Sequence, residues 1–485
     1  MSEKVTDITF AAAVDIAAMI KAGDLSAQEA LAHYLKRVDK YNPELNAIVV
    51  DAREQAQAQA AARDAASASG DLHGVPMTIK ESYNLEGTPT TWGNPDFRDN
   101  IAAEDAEAVK RLKGAGVTVF GKTNVPLALA DFQSYNEVYG TANNPYDHNC
   151  GPGGSSGGSA AALAAGLSAL EIGSDIGGSI RNPAHFCGIF GHKPTYNLLS
   201  MRGHTLDADT RASSDISVIG PMARSARDLD VALRILAGPD EIMSRGFKLD
   251  LPEWQGRSLA ELKVAVWRND EQAPVSQEVE GRVELVAQAL RDAGASIDTD
   301  ARPDFKADHT HDTYQNLLQA TMSARMPEAD YESLKKYVAG LDPDDQSPGA
   351  KVMRAQVSSF KDWHAANELR HRLRWLWHEF FQTYDVLVTP IMATAAFPHN
   401  QASFGERTVR VDNQDRPYFE QVFWAGLTGV SFLPSTVIPT GLNDAGLPIG
   451  VQIIGPEYAD LITIGIAADL ERAGFKFTPP PNYLD

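Results

Sequence analysis

The sequence predicts an α/β fold. Three observations carry that reading: short β-branched runs set off by glycine turns between Gly74 and Pro221, helical stretches between those runs, and a hydrophobic content of 43% over 485 residues. A chain of that length and composition can bury a real core rather than remain disordered. The whole span 1–485 is expected to be one domain in four stretches. These are N-terminal helices over 1–70, a core over 71–230, a variable and mostly helical insertion over about 240–380 that shapes access, and strands with a closing helix over 381–485.

Residues 8–60 read as helical, with Asp24–Leu25–Ser26 followed by Glu29 as a capped helix start and Gln55–Ala68 as an alanine-rich amphipathic helix. Val75–Lys80 and Val117–Phe120 read as buried strands, joined by a helix over Asp105–Gly116 that ends in glycine. Two glycine-serine turns, 151–159 and 173–179, flank one small-residue helix at Ala160–Leu170. Such runs are often flexible linkers, but here an apolar helix follows at once, so the glycines serve close backbone approach. Further on, Leu262–Trp267 reads as a strand and Glu278–Ala293 as a helix. Tyr314–Met326 and Lys351–Phe381 read as helices around an acidic loop at Leu341–Gly349. Tyr384–Pro390, Gly429–Pro439 and Gly446–Ile454 read as strands, and Leu461–Ala473 as the closing helix.

Charge narrows the function classes. The net charge of −21, from 64 acidic and 43 basic residues, repels phosphate backbones and argues against a nucleic-acid substrate. The two cysteines, Cys150 and Cys187, form no C-x-x-C pair and no disulfide framework. Met1–Ile20 lacks the basic and apolar segments of a signal peptide, and no window approaches the ~18 apolar residues of a membrane span. A soluble, cytoplasmic protein without membrane partners is expected.

Two familiar motifs match and mislead. Gly153–Gly154–Ser155–Ser156–Gly157 satisfies the G-x-S-x-G elbow, yet Asn144–Pro152 before it reads as loop, and an elbow needs a strand there. Gly116–Thr123 satisfies the phosphate-loop pattern, but Val117–Phe120 reads as strand rather than a turn of exposed N–H groups. His309–Thr310–His311, between Asp308 and Asp312, reads as a solvated acidic loop without the spaced partners of a metal site.

The combination is more specific. Gly153–Ser159 (GGSSGGS), Gly173–Arg181 (GSDIGGSIR) and the segment from Gly74–Val75–Pro76 to Lys80 together resemble the amidase signature family. The order and spacing fit, with 75 residues from Lys80 to Ser155 and 24 from Ser155 to Ser179. Smaller matches include Gly121–Asn124, Phe186–Gly188, Lys193–Thr195 and Leu447–Gln452. The resemblance is strong over 74–221 and weak over 240–380.

That resemblance implies an amidase signature fold, a large mixed central β-sheet covered by helices on both sides. It implies hydrolysis of C–N amide-type bonds with no cofactor and no metal. Ser179 corresponds to the nucleophile that forms the acyl-enzyme, Ser155 to the bridging serine that follows a cis peptide bond, and Lys80 to the base. The backbone N–H groups of Ile176, Gly177, Gly178 and Ser179 correspond to the oxyanion hole. The chemistry is consistent: a serine hydroxyl needs a proton acceptor, and a lysine can be one only when burial makes it neutral. The amine leaves only when protonated, which a lysine–serine relay can supply. Asp175, Arg181 and Ser156 are expected to support the turn, with a purely structural Asp175–Arg181 pair as the alternative. Lys122 is a second candidate base, set against the commoner solvated lysine.

Leu129, Phe132 and Gln133 resemble a family segment near the substrate. Trp363, Trp375, Trp377 and Trp424 are mostly expected in the core, with a few open to the cleft. The expected substrate is a small-molecule aryl or bulky amide, anilide or carbamate (urethane), with possible esterase side activity, and the protein a monomer or homodimer. The competing readings are the glutaminase subunit of a tRNA-dependent amidotransferase and a non-catalytic binding module with a decayed site.

Overall fold

A computed structural model describes residues 7–484. Three helices open the fold: α1 (Ala13–Ala22), α2 (Ala27–Leu45) and α3 (Arg53–Ala65). The expected helical stretch over 1–70 therefore falls partly on residues 1–6, outside the described ones. The Ser26 cap is as expected: its hydroxyl accepts from Glu29 N–H while the Glu29 carboxylate takes Ser26 N–H, satisfying two orphan donors. The stretch is not helical throughout. Strand β1 (Ile48–Asp51) separates α2 from α3, because α2 stops at Asn46 in a left-handed conformation and the β-branched Ile48–Val49–Val50 run then pairs.

β2 (Pro76–Lys80) and β3 (Thr118–Thr123) run parallel, joined through helix α4 (Glu107–Gly114), and with β1 make a three-stranded sheet. β3 is a buried strand over the residues that mimic a phosphate loop. The short hairpin β4 (Tyr135–Asn136) and β5 (Gly140–Thr141) leads to α5 (Gly157–Ala164). That helix starts inside the glycine-serine run and ends before Leu170, several residues earlier at both ends than expected, since glycines there form its first turn.

The main sheet has eight strands. In chain order these are β6 (Glu171–Asp175), β7 (Phe190–Lys193), β8 (Val218–Ala223), β9 (Lys263–Val266), β10 (Ser296–Asp298), β11 (Val386–Thr389), β14 (Ser435–Leu442) and β15 (Pro448–Ile454), with the small hairpin β12 (Thr408–Val411) and β13 (Gln414–Pro417) between β11 and β14. The order across the sheet is β10-β9-β11-β15-β14-β7-β8-β6. β9 pairs in parallel with β10 and β11, and the remaining pairs are antiparallel, so the sheet is mixed. Every residue of β6, β7, β8, β11 and β15 is buried, which requires cover on both faces. Helices α6 (Arg181–Phe186), α7 (Ala226–Leu236), α8 (Gln277–Asp292) and α14 (Asp460–Arg472) pack against it.

The stretch 240–380 contributes β9 and β10 to this sheet as well as the outer helices α9 (Ala307–Ser323), α10 (Glu328–Ala339), α11 (Pro348–Gln356) and α12 (Phe360–Phe380). The expected single helix over 351–381 is thus two, since Ser359 breaks the run and caps α12 in a box with Asp362. His309 and His311 lie on α9 rather than in a loop. The segment expected as a strand from Gly429 is the end of helix α13 (Val422–Gly429), and the strand starts only at Ser435. No helix among the described residues is long and apolar enough to cross a membrane.

Candidate active site

β2 ends in a lysine that the surrounding structure closes over completely. Lys80 is 0% exposed, and its ammonium nitrogen lies 2.6 Å from Ser155 Oγ and 2.9 Å from Ser174 Oγ. Burial disfavours the charged form and pushes its pKa down to about 7, against the pull of Asp175, Glu171 and Glu81. Burial also pushes Glu171 up to about 8, so at neutral pH its carboxyl does not restore a full counter-charge. Glu171 accepts the Thr78 hydroxyl, and Ser168 Oγ accepts Thr78 N–H at 2.9 Å; these bonds fix β2 beside β6. A lysine held near neutrality at 2.6 Å from a hydroxyl can exchange a proton with it.

Ser155 stands on the loop before α5, after a cis Gly154–Ser155 peptide. Gly154 is confined by its neighbours: a β-carbon there would sit 2.3 Å from the Asp131 carbonyl oxygen. Gly154 N–H donates to Asn182 Oδ1 at 2.8 Å, and Ser156 N–H donates to the Ser179 carbonyl at 3.2 Å. The two glycine-serine loops, 24 residues apart between their central serines, are therefore laced together. Of Lys80, Ser155 and Ser179, Ser179 is the most open, at 7% exposure against 0% and 1%.

Asp175 shapes the loop that carries Ser179. Its carboxylate accepts Gly178 N–H at 2.8 Å and Ile180 N–H at 3.1 Å, and it pairs with Arg181 through Nε at 3.0 Å and Nη2 at 2.9 Å. The Arg181 guanidinium holds that carboxylate down at about 2 despite burial. The pair and the turn are thus one structure, and the two readings of Asp175 and Arg181 merge. Arg181 also donates to the Ala425 carbonyl, Thr428 and Gln452, tying the loop to α13 and β15. Gly178 takes a φ of +106°, a conformation suited to glycine, and its N–H is spent on Asp175 rather than free for an oxyanion. The N–H groups of Ile176, Gly177 and Ser179 donate to no described residue. The Ile176 carbonyl accepts the Tyr314 hydroxyl at 2.8 Å, which anchors the loop to α9. Ser156 Oγ makes long, 3.4 Å contacts to the backbone of Ser174, a bracing position.

The neighbouring segment is also at the site. Ser134 Oγ donates to the Gly153 carbonyl at 3.0 Å and accepts Gly157 N–H at 3.1 Å. Gln133 is 1% exposed, with its amide exchanging bonds with the Asn400 backbone at 2.7 and 2.8 Å. Phe132 packs on Tyr418 and Phe419, and Leu129 is half-buried at a φ of +62°. Lys122 is buried rather than solvated, and its ammonium is held by the Pro89 carbonyl and Thr90 Oγ1, with no bond to either loop serine. Trp377 and Trp424 are fully buried, Trp363 partly so, and Trp375 is 68% exposed. The residues that sequence reasoning missed are Ser174 and Asn182. Ser174 lies inside the glycine-rich GSD segment and Asn182 directly follows Arg181, but nothing in either spacing marks a partner for Lys80 or for Gly154.

Comparison with known proteins bears on this geometry. The profile of the Amidase family matches residues 29–463. The chain is 31% identical to the A subunit of the glutamyl-tRNA(Gln) amidotransferase of Bdellovibrio bacteriovorus, over 99% of this chain and 100% of that protein. It is 33% identical to indoleacetamide hydrolase of Bradyrhizobium diazoefficiens, over 95% and 86% of the two chains. A crystal structure of a bacterial aryl acylamidase of the amidase signature family superposes with a TM-score of 0.81 at 25% identity, covering 98% of this chain and 97% of that one.

Proposed function

This chain belongs to the amidase family, the amidase signature proteins, and is an amide hydrolase of that family; from that premise we propose that it cleaves aryl or bulky amides, anilides or aryl carbamates through an acyl-enzyme on Ser179. The observation that carries the reading is the buried Lys80–Ser155 contact beneath the more open Ser179 loop. Neutral Lys80 takes a proton from Ser155 as Ser155 takes one from Ser179, and the Ser179 oxygen adds to the amide carbon. The oxyanion forms against the backbone N–H groups of Ile176, Gly177 and Ser179, each such donor being worth roughly 3–4 kcal/mol in the transition state. The proton returns through Ser155 to the leaving nitrogen, the C–N bond breaks, and water releases the acid by the same relay run on the acyl-enzyme.

The preference for aromatic substrates is supported by the likeness to an indoleacetamide hydrolase and an aryl acylamidase. A second reading, a glutaminase subunit that works with partners, is favoured by the likeness to amidotransferase A subunits. A panel of p-nitroanilides, aryl carbamates and glutamine, assayed with the protein alone and with Ser179→Ala, separates them. Aniline release that vanishes in the variant is the expected result; turnover of glutamine alone would move the assignment to the amidotransferase component.

A further inference from the structure

Two pairs of an arginine with a carboxylate have both side chains at 3% exposure or less among the described residues. The first, Asp175–Arg181, belongs to the Ser179 loop. The second, Asp131–Arg407, joins residues 276 positions apart at 2.6 Å, and no motif of the sequence marks it. Desolvation offsets much of the attraction within such a pair, so its worth is sought in the geometry it fixes.

Asp131 backs the other serine loop. A β-carbon on Gly154 would meet the Asp131 carbonyl oxygen at 2.3 Å and the Gln133 nitrogen at 2.8 Å, so this backbone lies directly against the residue before Ser155. Ser134 follows, and its hydroxyl donates to the Gly153 carbonyl at 3.0 Å and accepts Gly157 N–H at 3.1 Å. Residues 131–134 therefore touch the loop on both sides of Ser155, whose Oγ lies 2.6 Å from Lys80 Nζ.

The Asp131 carboxylate is gripped by both feet of one hairpin. Arg407, just before β12, donates through Nη1 to Oδ2 at 2.6 Å, and Tyr418, just after β13, donates its hydroxyl to Oδ1 at 2.6 Å. Tyr418 N–H donates to the Arg407 carbonyl at 3.2 Å and closes the base of the hairpin. The Arg407 fork is itself held by the Ala402 carbonyl at 2.6 Å and the Tyr135 hydroxyl at 2.5 Å. Anchors on separate oxygens restrain rotation as well as displacement of the carboxylate.

We propose that Asp131 is a positioning residue for the amide reaction: locked by Arg407 and Tyr418, it holds residues 131–134 against the Gly153–Gly157 loop and so keeps the Ser155 hydroxyl on Lys80. This rests on the amide-hydrolase reading and on the relay proposed for Ser155. A misplaced Ser155 fails in returning the proton to the leaving nitrogen. An aniline leaves only with that proton, whereas a phenolate departs without it, so amide turnover suffers more than ester turnover. General loosening of the fold lowers both alike.

The test compares acetanilide with phenyl acetate, which transfer the same acetyl group, in the unmodified enzyme, Asp131→Asn, Tyr418→Phe and the double variant. Asp131→Asn is expected to lower the anilide-to-ester ratio of kcat at least ~10-fold and Tyr418→Phe about 3-fold. The double variant is expected to fall no further than Asp131→Asn, because both changes act through one carboxylate. Tyr418→Phe keeps the ion pair and the ring, and it carries the comparison should Asp131→Asn not fold. An unchanged ratio in the folded variants overturns the proposal, as does a double variant whose loss is the product of the two single losses. A crystal structure of Asp131→Asn, or of Tyr418→Phe in its place, reads the position without turnover. The Ser155 Oγ–Lys80 Nζ separation is expected to lengthen from 2.6 Å to beyond about 3.5 Å, and an unchanged contact overturns the proposal. If the unmodified enzyme cleaves neither compound, that lengthening still supports the positioning claim while the hydrolase reading falls.

Discussion

Residues 74–223 and residues 240–380 solve different problems. In the first, polar groups are buried and spent on one another: Lys80 on Ser155 and Ser174, Asp175 on Arg181 and Gly178, Asn182 on Gly154. In the second, helix α10 buries no residue and Phe360 is 79% exposed. The difference teaches where each property is kept. Reaction geometry needs groups fixed to within fractions of an ångström, which only a dry, fully bonded interior supplies. The outer helices of 240–380 leave such side chains to solvent instead.

The largest effect that would break this division lies at Ser179, the proposed nucleophile. Ser179→Ala is expected to cut kcat for an anilide by at least ~10⁴-fold while circular dichroism stays unchanged. Next comes the lysine. Wild-type kcat/KM is expected to rise with pH through about 7, because Lys80 can serve as the proposed base only once it has lost its proton. Lys80→Arg keeps the positive charge but cannot deprotonate, and is expected to lose ~10³-fold in rate together with that rising limb. Retained activity in Lys80→Arg would show that a charged group suffices. Breaking the loop's ion pair comes third. Asp175→Asn leaves Arg181 buried without its counter-charge and is expected to cost about 3–5 kcal/mol in urea unfolding, with activity falling as the Ser179 loop loosens. The smallest effects sharpen the contrast within one outer helix. Trp377→Ala, at a fully buried site on α12, is expected to cost about 3–5 kcal/mol, whereas Trp375→Ala, 68% exposed, should stay within about 0.5 kcal/mol. Equal costs would mean that α12 buries both indoles alike.

Legibility in the sequence follows the same division. Ser155 and Ser179 stood out because glycine-serine strings are visible without a structure, while the roles proposed for them and for Lys80 came from the likeness to the amidase signature family. The strand ending at Lys80 and the capped start of α2 were equally local, and so was the β3 strand behind the false phosphate loop. Ser174 was not legible as a partner of Lys80, since an unremarkable strand serine becomes one only when β6 is laid beside β2. The same holds for Gly178, whose N–H is committed by a carboxylate three residues earlier. The break between α11 and α12 was masked by apolar and charged residues that suit either helix, with Ser359 as its one signal.

Mass spectrometry of the enzyme treated with an aryl fluorophosphonate tests the central claim most directly. The Ser179 oxygen is expected to displace fluoride and carry the single phosphonyl adduct, and Lys80→Met is expected to abolish the labelling. An adduct on Ser155, or undiminished labelling of Ser179 in Lys80→Met, would contradict the relay.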